Sequence, residues 1–197
     1  MGRAQGTRRG ATDETAFAAA LAQARAGDEA AFARVYRTVN PRLVGYLRGL
    51  VGNDADDVAS ETWHDVVRAL GDFRGDGPAF RAWTATIARN RALDHLRRSN
   101  VRPRTTELVD TAKDSPADQD SERLALESLS TAHALSLIAE LPRDQAEAVL
   151  LRVVLGLDAP MAAQVLGKQP GAVRTAAHRG LKRLAERMRR PGGTEEK

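Results

Sequence analysis

Residues 80–98, FRAWTATIARNRALDHLRR, decide the fold of this chain. The stretch contains neither Gly nor Pro and reads as one helix. Its aromatic residues come first, and its cationic and hydrogen-bonding side chains come after them. At about 100° per residue, Trp83, Ile87, Asn90, Asp94 and Arg97 fall along one side. A helix that only filled a core would not set Asn and Arg in line with Trp. Aromatic faces stack on unpaired bases, and Arg and Asn hold phosphates and base edges, so the pattern suits opened DNA.

Charge is distributed in blocks on either side of this helix. Segment 71–104 carries eight Arg against three acids, net +5, and segment 168–190 carries eight Lys/Arg against one acid, net +7. Between them, 105–130 has two basic residues against seven acids, net −5. Two basic blocks joined by an acidic spacer fit two separate contacts with a polyanion. The absence of cysteine excludes disulfides, thiol catalysis and Cys-based zinc sites. No apolar run approaches the ~20 residues of a membrane span. The leading MGRAQGTRRGATDET has no apolar core of a secretory signal. A cytoplasmic protein without direct membrane insertion is expected, with residues 1–13 as a flexible leader.

Helical periodicity continues almost throughout. Expected helices cover about 14–26, 29–39, 41–51 and 54–70, with Pro41 breaking or kinking the second pair. After the glycine-rich link 71–78 comes the helix of the quoted stretch. Residues 100–129, with Pro103, Pro116 and many Ser, Thr and Asp, read as a flexible acidic linker. Helices resume at about 130–140, 142–155, 160–166 and 171–190, and 191–197 form a flexible tail. The fold class is therefore all-α: two small helical domains, 14–99 and 130–190. Core candidates in the second are Leu135, Ile138, Leu141, Val149, Leu150, Val153, Leu166, Val173, Leu181 and Leu184.

Within the second domain, PMAAQVLGKQPGAVRTAAHRGLKRLAERMRR reads as helix-turn-helix. Ala163 permits a tight crossing, Gly167 makes the turn, and Pro170 opens the next helix. With Val173 facing the core, Arg174, Thr175, His178, Arg179 and Lys182 fall on the outer face, as on a recognition helix. In the first domain, Asp54, Asp57, Glu61 and Asp65 recur at i, i+3, i+7 and i+11 along one helix face. Asp54 and Asp57 suit the helix dipole, but Glu61 and Asp65 lie too far along for that. An acidic stripe would repel DNA and suits a basic protein surface.

Together these motifs resemble the sigma-70 family of bacterial RNA polymerase sigma factors, in particular the extracytoplasmic-function (ECF) type with regions two and four only. DADDVASETWHDVVRAL is similar to region 2.2, FRAWTATIARNRALDHLRR to regions 2.3–2.4, ELPRDQAEAVLLRVVLGL to region 4.1, and the helix-turn-helix to region 4.2. The resemblance implies a protein that binds core RNA polymerase through its β and β′ subunits, recognises −10 and −35 promoter elements and helps melt the DNA. An anti-sigma factor is the regulator it implies. By the same resemblance, Asp57 and Glu61 match the acidic polymerase-binding positions, and Asp54 and Asp65, on the same stripe, are expected to bind polymerase with them. Asn90, Arg91, Asp94, Arg97 and Arg98 belong to the −10 helix, with Phe73 and Arg74 in the loop that receives a flipped-out base. Arg174, Thr175, His178 and Arg179 match the −35 recognition helix, and Gln169 and Lys182 are expected to contact the −35 element beside them. Phe80 and Ile87 are expected to pack, and Trp83 fits either a stacking or a packing role.

No enzyme is expected. The four His are scattered, with no paired metal spacing, nucleophile elbow or phosphate-cradling glycine loop, and neither metal nor cofactor is implied. The other alternative is a stand-alone helix-turn-helix transcriptional regulator. It leaves the acidic stripe and the Trp83 helix without a purpose.

Overall fold

The structure, a computed structural model, describes residues 3–101 and 130–189. Most of the expected linker, 102–129, and the expected tail, 191–197, lie outside the described residues. All regular elements among the described residues are helical.

Helix α1 spans Arg3–Arg25, starting well before the expected start near residue 14. Helix propagation from a packed segment costs little, so the packed half extends into the segment expected to be a leader. Phe17, Ala20, Leu21 and Ala24 are buried at i, i+3, i+4 and i+7, and this stripe lies on α2. Helix α2 spans Glu29–Val51, with the Asp28 carboxylate accepting from the Ala31 N–H at 2.8 Å. Pro41 lies inside α2 and does not divide it, contrary to expectation. Ala31, Val35, Val39, Leu43, Tyr46 and Leu47 form one buried stripe through both halves. That shared burial offsets the ~3 kcal/mol that an interior Pro costs.

One tight turn, Gly52–Asp54, leads into α3, Ala55–Ala69. After the link comes α4, Gly77–Val101. Asp76 caps α4 twice: its carboxylate accepts from the Ala79 N–H at 2.9 Å, and its carbonyl from the Phe80 N–H at 2.9 Å. Ala85, Ala88 and Ala92 are fully buried, so small side chains let α4 approach its neighbours closely.

The second domain begins with α5 (130–139) and α6, Arg143–Val149. The chain then widens into a π turn, Leu150–Val154, where the Leu155 N–H donates to the Leu150 carbonyl at 3.1 Å. The extra residue in this turn rotates its side chains relative to α6, so Val153, an expected core residue, is 57% exposed. Helix α7, Ala159–Leu166, is capped by Asp158, which accepts from the Met161 N–H at 2.8 Å. It ends at Gly167, left-handed at φ 62°, and the Lys168 N–H closes back to the Ala163 carbonyl at 2.9 Å. Helix α8, Pro170–Met188, buries Val173, Ala177 and Gly180. Gly180 takes the inner position beside Val149, which leaves Leu181, another expected core residue, exposed. The two domains also pack on each other: α7 lies against α4, and the π turn against α2.

Candidate nucleic-acid interface

The acidic stripe of α3 and the basic side of α4 face each other. Arg91 donates from Nε to Asp65 Oδ2 at 2.6 Å and from a terminal nitrogen to Glu61 Oε2 at 3.5 Å. His95 Nε2 lies 2.8 Å from Asp54 Oδ2, and Arg98 lies 3.8 Å from Glu61. The hydrogen bond to Asp65 holds the Arg91 guanidinium still more firmly in its charged form. Glu61 and Asp65 are thus partly neutralised from within the domain, and Asp54 has His95 as a hydrogen-bond partner. Asp57 is exposed and makes no ion pair among the described residues.

Beyond this zipper, the outer end of α4 is open. Asn90, Asp94, Arg97 and Arg98 are exposed. Arg97 donates to the Asp94 carboxylate at 2.9 Å, and Arg98 Nε to the Asp94 backbone carbonyl at 3.3 Å. The inner end is aromatic. Phe73 and Phe80 are buried, with ring centroids 5.4 Å apart in an edge-on pair. Trp83 is half-buried against both, at 4.9 Å from Phe73 and 5.7 Å from Phe80. Trp83 therefore packs and keeps part of its face accessible, and Phe80 and Ile87 pack as expected. Arg74 is exposed and donates to the carbonyls of Gly71 and Phe73 at 2.7 and 2.9 Å, which ties the turn preceding α4 to itself.

The helix-turn-helix presents a second basic surface. Arg174, Thr175, His178, Arg179 and Lys182 are all exposed on α8, and Gln169 is exposed at its start. The Thr175 hydroxyl donates to the Gly171 carbonyl at 3.0 Å. Glu186 is the single acid on α8 and sits a turn beyond Lys182.

One pair has no counterpart among the expected site residues. Arg89 of α4 donates from Nε and from a terminal nitrogen to Glu147 Oε2, at 3.0 and 2.8 Å. Arg143 donates to the other oxygen of Glu147 at 3.0 Å. Glu147 is only 5% exposed. A sequence signal existed: Glu147 is a lone acid within the apolar run AEAVLL, at a position that must be buried. Nothing in the sequence named its partner.

Among the described residues, no group of three or more His, Cys, Asp or Glu could hold a metal ion. None of the described helices is long and apolar enough to cross a membrane.

Comparison with known proteins places the chain in a family. Residues 35–102 match the family model for sigma-70 region 2, and residues 134–184 match that for sigma-70, region 4. The chain is 36% identical over 167 residues to the ECF RNA polymerase sigma factor BldN of Streptomyces coelicolor, covering 83% of this chain and 62% of BldN's length. It is 36% identical over 176 residues to the ECF RNA polymerase sigma factor SigD of Mycobacterium tuberculosis, covering 86% of this chain and 82% of SigD. Its structure resembles that of CnrH, solved in complex with the cytosolic domain of CnrY, with a TM-score of 0.62 at 25% identity over 88% of this chain and 97% of CnrH. With a region-two match over α2–α4, a region-four match over the helix-turn-helix, and relatives of the same kind matched over most of their length, the chain belongs to the ECF group of sigma-70 family RNA polymerase sigma factors.

Proposed function

We propose that the two surfaces divide the work of promoter recognition. Asp57, with the partly paired Asp54, Glu61 and Asp65, docks region two on the β′ subunit of core RNA polymerase. The exposed end of α4, Asn90 to Arg98, contacts the −10 element, and the turn of Phe73 and Arg74 receives an extruded base. Gln169, Arg174, Thr175, His178, Arg179 and Lys182 hold the −35 element as duplex. Region four also meets the β subunit. The supporting observation is the asymmetry of α4. Its inner half is tied into aromatic and alanine packing, while its outer half exposes Asn and Arg to solvent.

This division sets the chemistry. Opening a duplex requires unstacking, a few kcal/mol for each flipped base. Capture of a base beside Trp83, with backbone contacts from Arg97 and Arg98, offsets that cost and makes it salt-dependent. No bond is made or broken by the chain itself, so it acts without catalysis of its own. Regulation by a protein partner is part of the proposal, since CnrH is bound by the cytosolic domain of CnrY.

The test is in vitro transcription from genomic DNA with purified core polymerase, with mapping of the start sites. Start sites that depend on this chain and share −10 and −35 sequences are expected. Binding of this chain to DNA without any effect on, or association with, core polymerase would instead establish a stand-alone regulator.

A further inference from the structure

Helix α1 packs on the start of α4 as well as on α2. The contact lies at the end of the turn that carries Phe73 and Arg74. Arg81 donates to Glu14 Oε2 at 2.7 Å, and its guanidinium carbon lies 5.1 Å from the centre of the Phe17 ring. The other carboxylate oxygen, Glu14 Oε1, is buried without a hydrogen-bond partner among the described residues. It lies against Gly77, the first residue of α4. A methyl group on Gly77 would collide with this oxygen and stand 2.9 Å from Phe17 Cδ1. Glycine at 77 therefore makes room for the carboxylate. A negative charge at this place also suits the positive end of the α4 dipole. Arg81 is only 23% exposed, and its charge is met by Glu14, so it is turned inward and away from DNA.

From α1 the contacts run on into the turn. The Phe17 ring lies 6.2 Å from that of Phe80, and Phe80 lies 5.4 Å from Phe73. Arg74 is laced to the carbonyls of Gly71 and Phe73, and Asp76 caps α4. The turn is thus fixed at Phe73, at Asp76 and at Gly77 without any DNA. A loop already held in one shape loses less freedom when it captures a ligand, so it binds more tightly with no added contact. Glu14 and Phe17 lie outside residues 35–102, the segment that matches region two. Helix α1 supplies them from beyond that match.

We infer that helix α1 holds the turn 71–77 in its receiving shape, and that Glu14 and Arg81 are positioning residues for capture of an extruded −10 base. This rests on the reading of that turn as the base receiver.

Capture is measured with the full chain bound to core RNA polymerase. The probes are single-stranded oligonucleotides carrying the −10 sequence of a mapped promoter, with each position replaced in turn by an abasic site. With the wild-type chain, loss of the captured base should weaken binding about tenfold or more. Glu14→Ala, Arg81→Gln and Gly77→Ala should each weaken binding of the intact oligonucleotide about fivefold or more. Each should leave binding of the abasic one within about twofold of wild type, so the penalty for the missing base shrinks. Gly77→Ala leaves every charge in place and acts by displacing the carboxylate. Arg81→Lys keeps a cation opposite Glu14 and should keep most of the penalty. Glu14 is 43% exposed, so Glu14→Ala should fold, and thermal melts of each variant check this.

A purely structural role for α1 would weaken the intact and abasic oligonucleotides alike. That outcome, or unchanged binding of both, would overturn the positioning role and leave the base-receiving turn standing. A wild-type chain indifferent to an abasic site at every −10 position would overturn the base-receiving turn, and the inference with it.

Discussion

Arg91 reaches from α4 back to α3 and donates to Asp65 at 2.6 Å, with Glu61 at 3.5 Å on its other side. A residue read as a DNA contact and two read as a polymerase dock are therefore bonded to one another. Asp57, a turn earlier on the same stripe, stands apart from this network. The two kinds of acid should separate on mutation. Asp57→Lys should leave the melting temperature within about 1 °C of wild type and weaken core polymerase binding about tenfold or more. Asp65→Lys should lose polymerase binding and also lower the melting temperature by about 3 °C, because it places two cations face to face. Thermal melts beside pull-downs with core polymerase make the distinction. Equal melting temperatures for the two variants would show that the Arg91 bridge contributes nothing to the fold.

The aromatic cluster has its own signature. Phe73 and Phe80 are buried, so truncation to Ala at either should cost about 3–5 kcal/mol in denaturant unfolding of the first domain. Trp83 is half-buried, and Trp83→Phe keeps its packing against Phe73. That variant should cost less than about 1.5 kcal/mol, while initiation on duplex promoters falls more than on templates mismatched across the −10 region. Equal losses on the two templates would assign Trp83 to packing alone.

The legibility of the chain divided along physical lines. Helix type was readable because apolar residues recur at the helical period almost throughout, and the caps that the structure shows at Asp28, Asp76 and Asp158 agree with that period. The turn at Gly167 carried the helix-turn-helix motif, and the aromatic-to-basic order of α4 pointed to the candidate site. Pro41 misled because its local cost is certain while the burial that outweighs it is tertiary. Val153 and Leu181 misled because one π turn and one inner glycine shift which side of the helix faces the core. The Arg91 bridge and the Arg89–Glu147 contact were invisible for another reason. Side chains tens of residues apart meet only through packing, and spacing along the chain says nothing about such pairs.

Tyr46 offers a test of the junction by pH. Its hydroxyl is buried without a hydrogen-bond partner, and burial raises its pKa well above the usual tyrosine value, with Glu147 adding to the shift and Arg89 opposing it. The folded state therefore keeps the proton that the unfolded chain releases above pH ~10. The stability this group contributes is fully present below that pH and is lost as pH rises further. Tyr46→Phe should flatten this alkaline loss. At neutral pH it should be neutral or stabilising by up to about 1–2 kcal/mol, because it removes an unpaired buried hydroxyl. Denaturant unfolding at pH 7 and near pH 10.5 measures both. A variant clearly less stable than wild type at pH 7 would mean that the hydroxyl is bonded.

The exposed face of α8 should split by salt dependence. Lys182 lies two turns beyond Arg174, where a helix entering a groove end-on has moved from bases to backbone. Lys182→Ala should weaken binding to all −35 sequences alike and reduce the slope of log affinity against log salt by about one. Arg174→Ala should cost about 1–3 kcal/mol on the preferred sequence and much less on mismatched ones, which relaxes specificity. Both residues are exposed on a helix whose buried side is Val173, Ala177 and Gly180, so neither change should alter folding. Binding to a panel of −35 duplexes at several salt concentrations, with the polymerase holoenzyme, reads both effects. A uniform loss on Arg174→Ala, with no change in sequence preference, would move base readout to Thr175, His178 or Arg179.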